Sequence, residues 1–304
     1  MNKISAVVSV YNEEKNIERC LLSLAFADEI VIVDNNSTDK TVEIAKKFTD
    51  KIYSQKNDPS KIDIQKNFGF DKATGNWILS IDADEEVSPK LAEEIKKEMK
   101  KEFKNSVNGY YLSRKNIIFG KWIAHSGWYP DFQLRLFKKG KGKFTKAHVH
   151  EPLSLNGETK YLKNEVVHHN YNTLTQFLQK AINIYVPSEA KNRLDSGYVF
   201  SYADAIRFPL KEFLSRFFSR KGYKDGFHGL MLSMLMAFYH FLVFAKIWEI
   251  NKFKDLDERQ TREFIKNEFK KSKKELSFWF TKEKIDEIKN PLKKVIHKLF
   301  NKIS

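Results

Sequence analysis

What most constrains this chain is a rhythm in its first third. Short apolar runs alternate with segments whose apolar residues recur at helical spacing. The runs are "ISAVVSV" (4–10), "EIVIVD" (29–34), "KIYSQ" (51–55) and "NWILSID" (76–82). Between the first two, Ile17, Cys20, Leu21 and Leu24 fall on one helical face, with Asn12 as the expected cap and Glu13 and Glu14 at the positive end of the dipole. "NNSTDK" reads as a turn with a helix cap before "KTVEIAKKF", and "IDIQKNFGFDKAT" as a third helix closed by Gly75. Ser88-Pro89 opens a fourth, with Leu91, Ile95 and Met99 on one face. Strands that are apolar on both faces and alternate with helices predict an α/β fold with a parallel sheet covered on both sides. Ligands of such sheets bind outside the carboxyl ends of the strands. Tyr11, Asp34 and the Asp82–Asp84 segment all sit at such ends.

From about residue 108 the pattern changes. "GYYLSRKNIIFG", "DFQLRLFKK" and "EVVHHNY" read as strands with aromatic content, expected as antiparallel additions to the sheet. Residues 173–225 read as helical. "GLMLSMLMAFYHFLVFA" (229–245) is the longest apolar stretch, at the lower limit of length for a membrane span. Beyond Trp248 the chain is Lys-rich and amphipathic.

The acids after the fourth strand carry the chemistry. Asp82 and Asp84, one residue apart in a turn after a buried strand, suit a hard divalent cation. Mg²⁺ and Mn²⁺ prefer oxygen ligands and often bind through one or two carboxylates plus substrate phosphates. The plainer reading is a solvated acidic turn that favours the helix starting at Pro89. The strand-end position tips the balance toward the metal. G-x-x-x-x-G-K-[ST], G-x-G-x-x-G, H-E-x-x-H and G-x-S-x-G are all absent, which argues against P-loop, dinucleotide, zincin and α/β-hydrolase sites.

"VVSVYNEEKNIERCL", "DEIVIVDNNSTDKTVEIA", "QKNFGFDKATGNWILSIDADE", "GWYPDFQLRLFKKGKGKF" and "HVHEP" resemble family 2 glycosyltransferases of the GT-A fold. The likeness is closest to the bacterial branch that adds a sugar to the inner core of lipopolysaccharide or lipooligosaccharide. It runs over roughly residues 3–250. The resemblance implies a GT-A, Rossmann-like catalytic domain over 1–170, in which 1–105 bind the nucleotide sugar and 106–170 form the acceptor side. A helical, membrane-associating region follows over 171–304. It implies inverting transfer of a hexose, glucose from UDP-glucose in the first instance, to a lipid-linked glycan. The alternatives are another acceptor, such as a capsule, O-antigen or protein-glycan lipid intermediate, or a non-catalytic nucleotide-sugar-binding subunit. Tyr11 and Glu13 match the positions that flank the nucleoside, and Asp34 the acid at the uracil edge. Lys66 and Asn67 match a segment near base and phosphates. Asp82, Ala83 and Asp84 match the D-x-D, with Mg²⁺ or Mn²⁺ as the implied cofactor and His168 as a candidate third ligand. Asp131 matches the general base, followed by Gln133 and Arg135, although Pro130 replaces the usual acidic neighbour. Glu151 is the rival base, and His148 and His150 are acceptor-side candidates.

The balance of 54 Lys and Arg against 39 Asp and Glu calls for an anionic partner. The excess is concentrated in 207–224 and 251–304. No nucleic-acid motif accompanies it, so nucleic acid is not expected. An anionic membrane surface is the expected partner, with 229–245 lying in the interface. Core packing, homo-oligomer packing and a full span are the other uses of that stretch. One cysteine, and no leader pattern at the N-terminus, fit a cytoplasmic protein peripheral on the inner face of the bacterial membrane.

Overall fold

The computed structural model describes residues 2–58, 63–101, 106–145, 152–288, 290 and 295. The chain forms two compact units. One comprises Met1–Ala124 and Trp128–Leu178, the other His125–Gly127 and Gln179–Ser304.

The first unit is built on a nine-stranded sheet. Strands β1 (Ile4–Val10), β2 (Glu29–Asp34), β3 (Ile52–Ser54) and β4 (Trp77–Asp82) are its parallel half, in the order β3-β2-β1-β4. Both faces of β1 and β4 and the C-terminal part of β2 are buried, as the unbroken apolar sequence requires, while β3 forms the partly exposed edge. Helices α1 (Ile17–Ser23) and α4 (Pro89–Met99) cover one face through Leu21, Leu91 and Ile95; α2 (Thr41–Ala45) follows β2. Helix α3 (Lys66–Lys72) covers the other face with Phe70 against Val7 and Val33. A Cβ on Gly69 would lie 2.5 Å from methyls of both valines, so only glycine lets α3 seat this closely.

The second half of the sheet holds β5 (Glu85–Val87), β6 (Val107–Ile118), β7 (Lys121–Trp122), β8 (Asp131–Lys138) and β11 (Glu158–Tyr171). A separate ribbon of β9 (Gly142–Lys143) and β10 (Ser154–Leu155) lies between them in sequence. The order continues β4-β8-β6-β11-β5, with β7 hairpinned onto β6. Strand β8 is antiparallel to β4 and β6, as the sequence predicts. Strand β11 departs from that expectation and runs parallel to β6. Strand β8 ends beside the start of β6, with Phe137 opposite Gly109, and β11 begins at that same end, with Glu158 opposite Val107, so it runs in the direction of β6. This mixed, mainly parallel sheet with flanking helices is a GT-A-type architecture.

Three local expectations also change. Asn12 does not cap α1; it adopts a left-handed conformation (φ 54°), and its Oδ1 accepts from Thr38 N at 2.8 Å, tying the β1 and β2 ends together. At α2 the N-cap position falls to Lys40, whose side chain makes no capping bond; Asp39 before it accepts from Thr41 N at 2.9 Å. Gly75 does not close α3, which ends at Lys72 with Ala73 already extended. Gly75 instead lets the backbone pass Lys3 O and Ser5 Oγ, each 2.7 Å from where its Cβ would be. Ser88 does cap α4, accepting from Leu91 N at 3.3 Å.

Glu29 ties β1, β2 and the turn before β4 together through bonds from Lys51, Ser5 and both Thr74 donors. Burial opposes its charge, yet these donors hold its carboxyl down at about 2. A depressed carboxyl stabilises the fold above its unfolded value of 4.5, and the contribution disappears as pH falls through about 2. Glu29→Gln should therefore lower Tm at neutral pH and flatten the loss of Tm over that acid window, read from thermal melts across pH.

The second unit is helical: α6 (Val186–Asp195), α7 (Asp204–Leu214), α8 (Phe227–Ile250) and α9 (Glu258–Asp286), preceded by α5 (Leu174–Lys180) at the boundary. Val186, Ala190, Val243 and Ile247 form a small core between α6 and α8. Arg207 on α7 donates two bonds to Glu268 on α9, at 2.7 and 2.8 Å. Asp257 and Gln260 close a capping box at the start of α9. Helix α8 is long and apolar enough to cross a membrane by length and composition, with only 28% of its most apolar window buried. Phe227, Met231, Met234, Phe238 and Phe241, at alternating steps of four and three, stay exposed on one face.

Candidate active site

The carboxyl ends of β1, β2 and β4 lie side by side: Val10 pairs with Asp34, and Ser9 with Asp82. Asp34 is buried and accepts from Ser37 N at 3.0 Å, while Tyr11 next to it is exposed. Asn35, which sequence reasoning missed, donates to Ser9 Oγ and Val10 O and accepts from Gln55, tying this edge together. Glu13 turns toward α1 and accepts from Asn16 Nδ2 at 2.8 Å. Asn67 spends both ends of its amide on the Phe144 backbone, at 2.8 and 3.0 Å. It stands apart from the charged cluster.

That cluster begins at Asp82, whose two oxygens are held by separate cations. Oδ1 meets Lys66 Nζ at 2.7 Å, and Oδ2 accepts from Arg135 Nη2 at 2.6 Å. Despite burial, Arg135 and Lys66 hold the Asp82 carboxyl well below the usual range. Lys66 is itself buried, yet Asp82 and Asp63 beside it keep its ammonium above the ordinary value. Arg135 Nη2 also donates to Glu85 Oε1 at 2.9 Å, and Glu85 Oε2 accepts from Asp82 N at 3.0 Å. Glu85 is thus a buried structural acid in β5. Glu86 faces Arg19 and His169 at 3.8 and 3.7 Å. Ala83 between the two aspartates is buried.

Asp84 belongs to a different environment. Its Oδ2 lies 3.5 Å from His168 Nε2, and its carbonyl accepts from His169 N. The far side of the His168 ring fixes its tautomer. Asn116, fully buried in β6, donates through Nδ2 to Trp128 O at 2.7 Å and to Asp131 Oδ2 at 3.3 Å. Its Oδ1 must then accept from His168 Nδ1, 2.7 Å away. Nδ1 carries the hydrogen, and Nε2 faces the Asp84 carboxylate. An imidazole nitrogen and a carboxylate oxygen side by side are a pair that could serve one divalent cation.

Asp131 opens β8. It accepts from Arg114 Nε at 2.8 Å and Nη2 at 2.7 Å, from Gln133 Nε2 at 2.9 Å, and from Asn116. Although burial opposes its charge, Arg114, Gln133 and Asn116 hold its carboxyl below the usual value, so it is ionised at neutral pH. Its salt bridge is to Arg114; Arg135 serves Asp82. Arg114 and Asn116 escaped the sequence reading. Their signal was polar residues at alternate positions in "SRKNII", an otherwise buried strand. His148, His150 and Glu151 lie outside the described residues.

The site is an acid-rich strand edge in which one buried amide, that of Asn116, links the Asp84–His168 pair to ionised Asp131. Residues 5–183 match the model of glycosyl transferase family 2, and the chain belongs to that family of transferases. An uncharacterized glycosyltransferase of Rickettsia typhi is 30% identical over 263 residues, covering 83% of this chain and 88% of that protein. The lipopolysaccharide core biosynthesis glycosyltransferase LpsC of Rhizobium meliloti is 26% identical over 251 residues, covering 81% and 92%. Among solved structures, S. aureus TarS 1–349 in complex with UDP-GlcNAc superposes with a TM-score of 0.43 at 15% identity, covering 82% of this chain and 91% of that one.

Proposed function

We propose that the chain transfers a hexose from a UDP-sugar, glucose in the first instance, to a lipid-linked glycan such as the inner core of lipopolysaccharide, with inversion. The similarity to LpsC over most of both chains supports the acceptor class. The observation that carries the mechanism is the Asn116 bridge, which sets His168 and Asp84 on one side and ionised Asp131 on the other.

Asp34 and Tyr11 hold the nucleoside at the ends of β1 and β2. Asp84 and His168 would be the side chains to hold Mg²⁺ or Mn²⁺, a cation that commonly binds through one or two protein ligands together with substrate phosphates. When bound, the cation offsets the charge that the leaving nucleoside diphosphate gains. Lys66 adds a second positive charge there, with Asp82 and Arg135 fixing its position. Asp131 takes the proton of the acceptor hydroxyl as that oxygen bonds to the anomeric carbon. The anomeric C–O bond to the diphosphate breaks on the opposite face, and UDP leaves with the electron pair.

The test is UDP release from UDP-glucose, UDP-galactose, UDP-GlcNAc and GDP-mannose with a core-lipid acceptor and Mn²⁺ or Mg²⁺. One UDP-hexose should be turned over and EDTA should stop it. Asp84→Ala should weaken metal-dependent UDP binding at least about 10-fold, on the scale of 10- to 100-fold losses from disturbed metal shells. No release from any donor by folded protein would sink the reading.

The second unit suits an anionic membrane surface. Besides the exposed stripe on α8, Ile265, Phe269 and Phe280 on α9 are exposed beside Lys266, Lys270 and Lys273. Apolar rings among lysines are the composition of an interfacial helix. Phe269→Glu should cut co-flotation with phosphatidylglycerol vesicles by about 10-fold at unchanged Tm, since an exposed ring contributes on the order of 1–2 kcal/mol on burial in the interface. Unchanged flotation would reject this surface.

A further inference from the structure

The opposite face of the outer sheet carries a feature that the transfer chemistry does not use. Strand alternation sends Asp131, Arg114, Asn116 and His168 to one face. The residues between them form rows on the other face. Phe132, Ser113 and Glu165 are cross-strand neighbours on β8, β6 and β11, and Leu134, Tyr111 and Tyr161 form the next row. Tyr111 and Tyr161 stack, with centroids 5.0 Å apart and planes 18° apart, and Phe132 meets Tyr161 edge-on at 4.8 Å. Trp122 meets Tyr129 edge-on at 5.6 Å, and Lys115 Nζ sits 4.7 Å over the Trp122 ring. Tyr161 is 60% exposed, Phe132 41% and Trp122 40%, so these three rings face solvent, while Tyr111 and Leu134 pack on the core beneath them.

The band has a polar centre. The Tyr129 hydroxyl donates to Glu165 Oε1 at 3.1 Å. Burial and the Glu165 carboxylate push the Tyr129 phenol up, so it stays a neutral donor. Among the described residues, Glu165 Oε2 takes no hydrogen bond. Flat rings beside a carboxylate and a hydroxyl match one ligand chemistry closely. A pyranose presents axial C–H groups on one face and hydroxyls around its edge. The C–H face lies on Tyr161 and Phe132, and edge hydroxyls donate to Glu165. The donor's nucleobase is accounted for elsewhere, at Asp34 on β2, with β1, β4 and β8 between that strand and β6. The carboxylate disfavours a nucleic acid or an anionic headgroup at this spot.

We propose that this aromatic platform binds a pyranose of the acceptor glycan distal to the sugar that is modified. Phe132 follows Asp131 directly at the rim of β8, so a glycan crossing that rim reaches both faces. The proposal rests on the transfer reading for the identity of the glycan, but its test is separate. The probe is deacylated lipopolysaccharide core oligosaccharide, followed by saturation-transfer NMR on the full chain in the absence of donor. Saturation should reach sugar protons, and Tyr161→Ala should abolish it while UDP binding is unchanged. With a long core acceptor, Tyr161→Ala and Glu165→Gln should each raise the acceptor KM about 10-fold at constant kcat. A ring contact and a charge-assisted hydrogen bond are each of that order. A truncated acceptor holding only the reacting sugar should show no change. Equal KM for long and truncated acceptors in both variants would overturn the platform and leave the transfer reading standing. Oligosaccharide binding that depends on Tyr161, in a protein that binds no UDP-sugar, would keep the platform and overturn transfer.

Discussion

Asp131→Asn should lower kcat by about 10²- to 10⁴-fold, the scale of a lost general base, and leave UDP binding unchanged. The substitution keeps the shape of the side chain; its oxygen can still accept from Arg114 and Asn116, and the new NH₂ meets Gln133, whose amide can turn to accept it. What it removes is the charge that Arg114 compensates and the lone pair that accepts the proton. Arg114 is partly exposed, so its uncompensated charge can be hydrated and the fold should survive. The depressed carboxyl adds a pH test. Asp131 is ionised throughout the neutral range, so kcat/KM should be flat there and fall only below the ordinary carboxylate range. A weak base of this kind accepts its proton late, once the new C–O bond has acidified the hydroxyl. Full activity of Asp131→Asn would move the base elsewhere, with Glu151 the next residue to replace.

Arg135→Met should destabilise the protein by about 3–5 kcal/mol, because it leaves buried Glu85 without its closest cation and Asp82 with Lys66 alone. For a domain of this size that is a fall in Tm of roughly 10 °C. Both contacts come from one nitrogen, Nη2, at 2.6 and 2.9 Å. Arg135→Lys should therefore recover much of the loss, since an ammonium can meet both acids where a bidentate fork is not needed. The Arg135→Met deficit should shrink in acid, as the Asp82 carboxyl, held low by Arg135 and Lys66, loses its charge. Thermal melts of the three proteins at neutral and acidic pH measure all of this. An Arg135→Met protein as stable as the parent would show that the two carboxylates find another cation.

The parallel half of the sheet could be read from the chain because burial on both faces leaves a continuous apolar run, and no other element of that length needs one. The edge where Asp34 and Asp82 meet was legible for the same reason. The direction of β11 was not: its residues pattern the same way whether it ascends or descends, and the choice lies in the connection before it. Arg114 and Asn116 were hidden because their meaning comes from cross-strand register, Arg114 opposite Asp131 and Asn116 opposite His168. Asn12 misled because asparagine serves helix caps and left-handed turns equally well. Glu85 read as one more acid in an acidic turn. Only the short strand β5, pairing with β11, turns it inward onto Arg135.

Gly69 has a mechanical consequence for the site. Helix α3 bears on the sheet through a point without a side chain, with the methyls of Val7 and Val33 as the seat. Lys66 stands at the front of that same helix, three residues away, and its ammonium must reach Asp82. The bearing and the reach are one dimension: the depth of the notch sets how far the lysine extends. The alignment of a charge at the reacting edge is thus machined into the floor of the fold, by atoms that are not there.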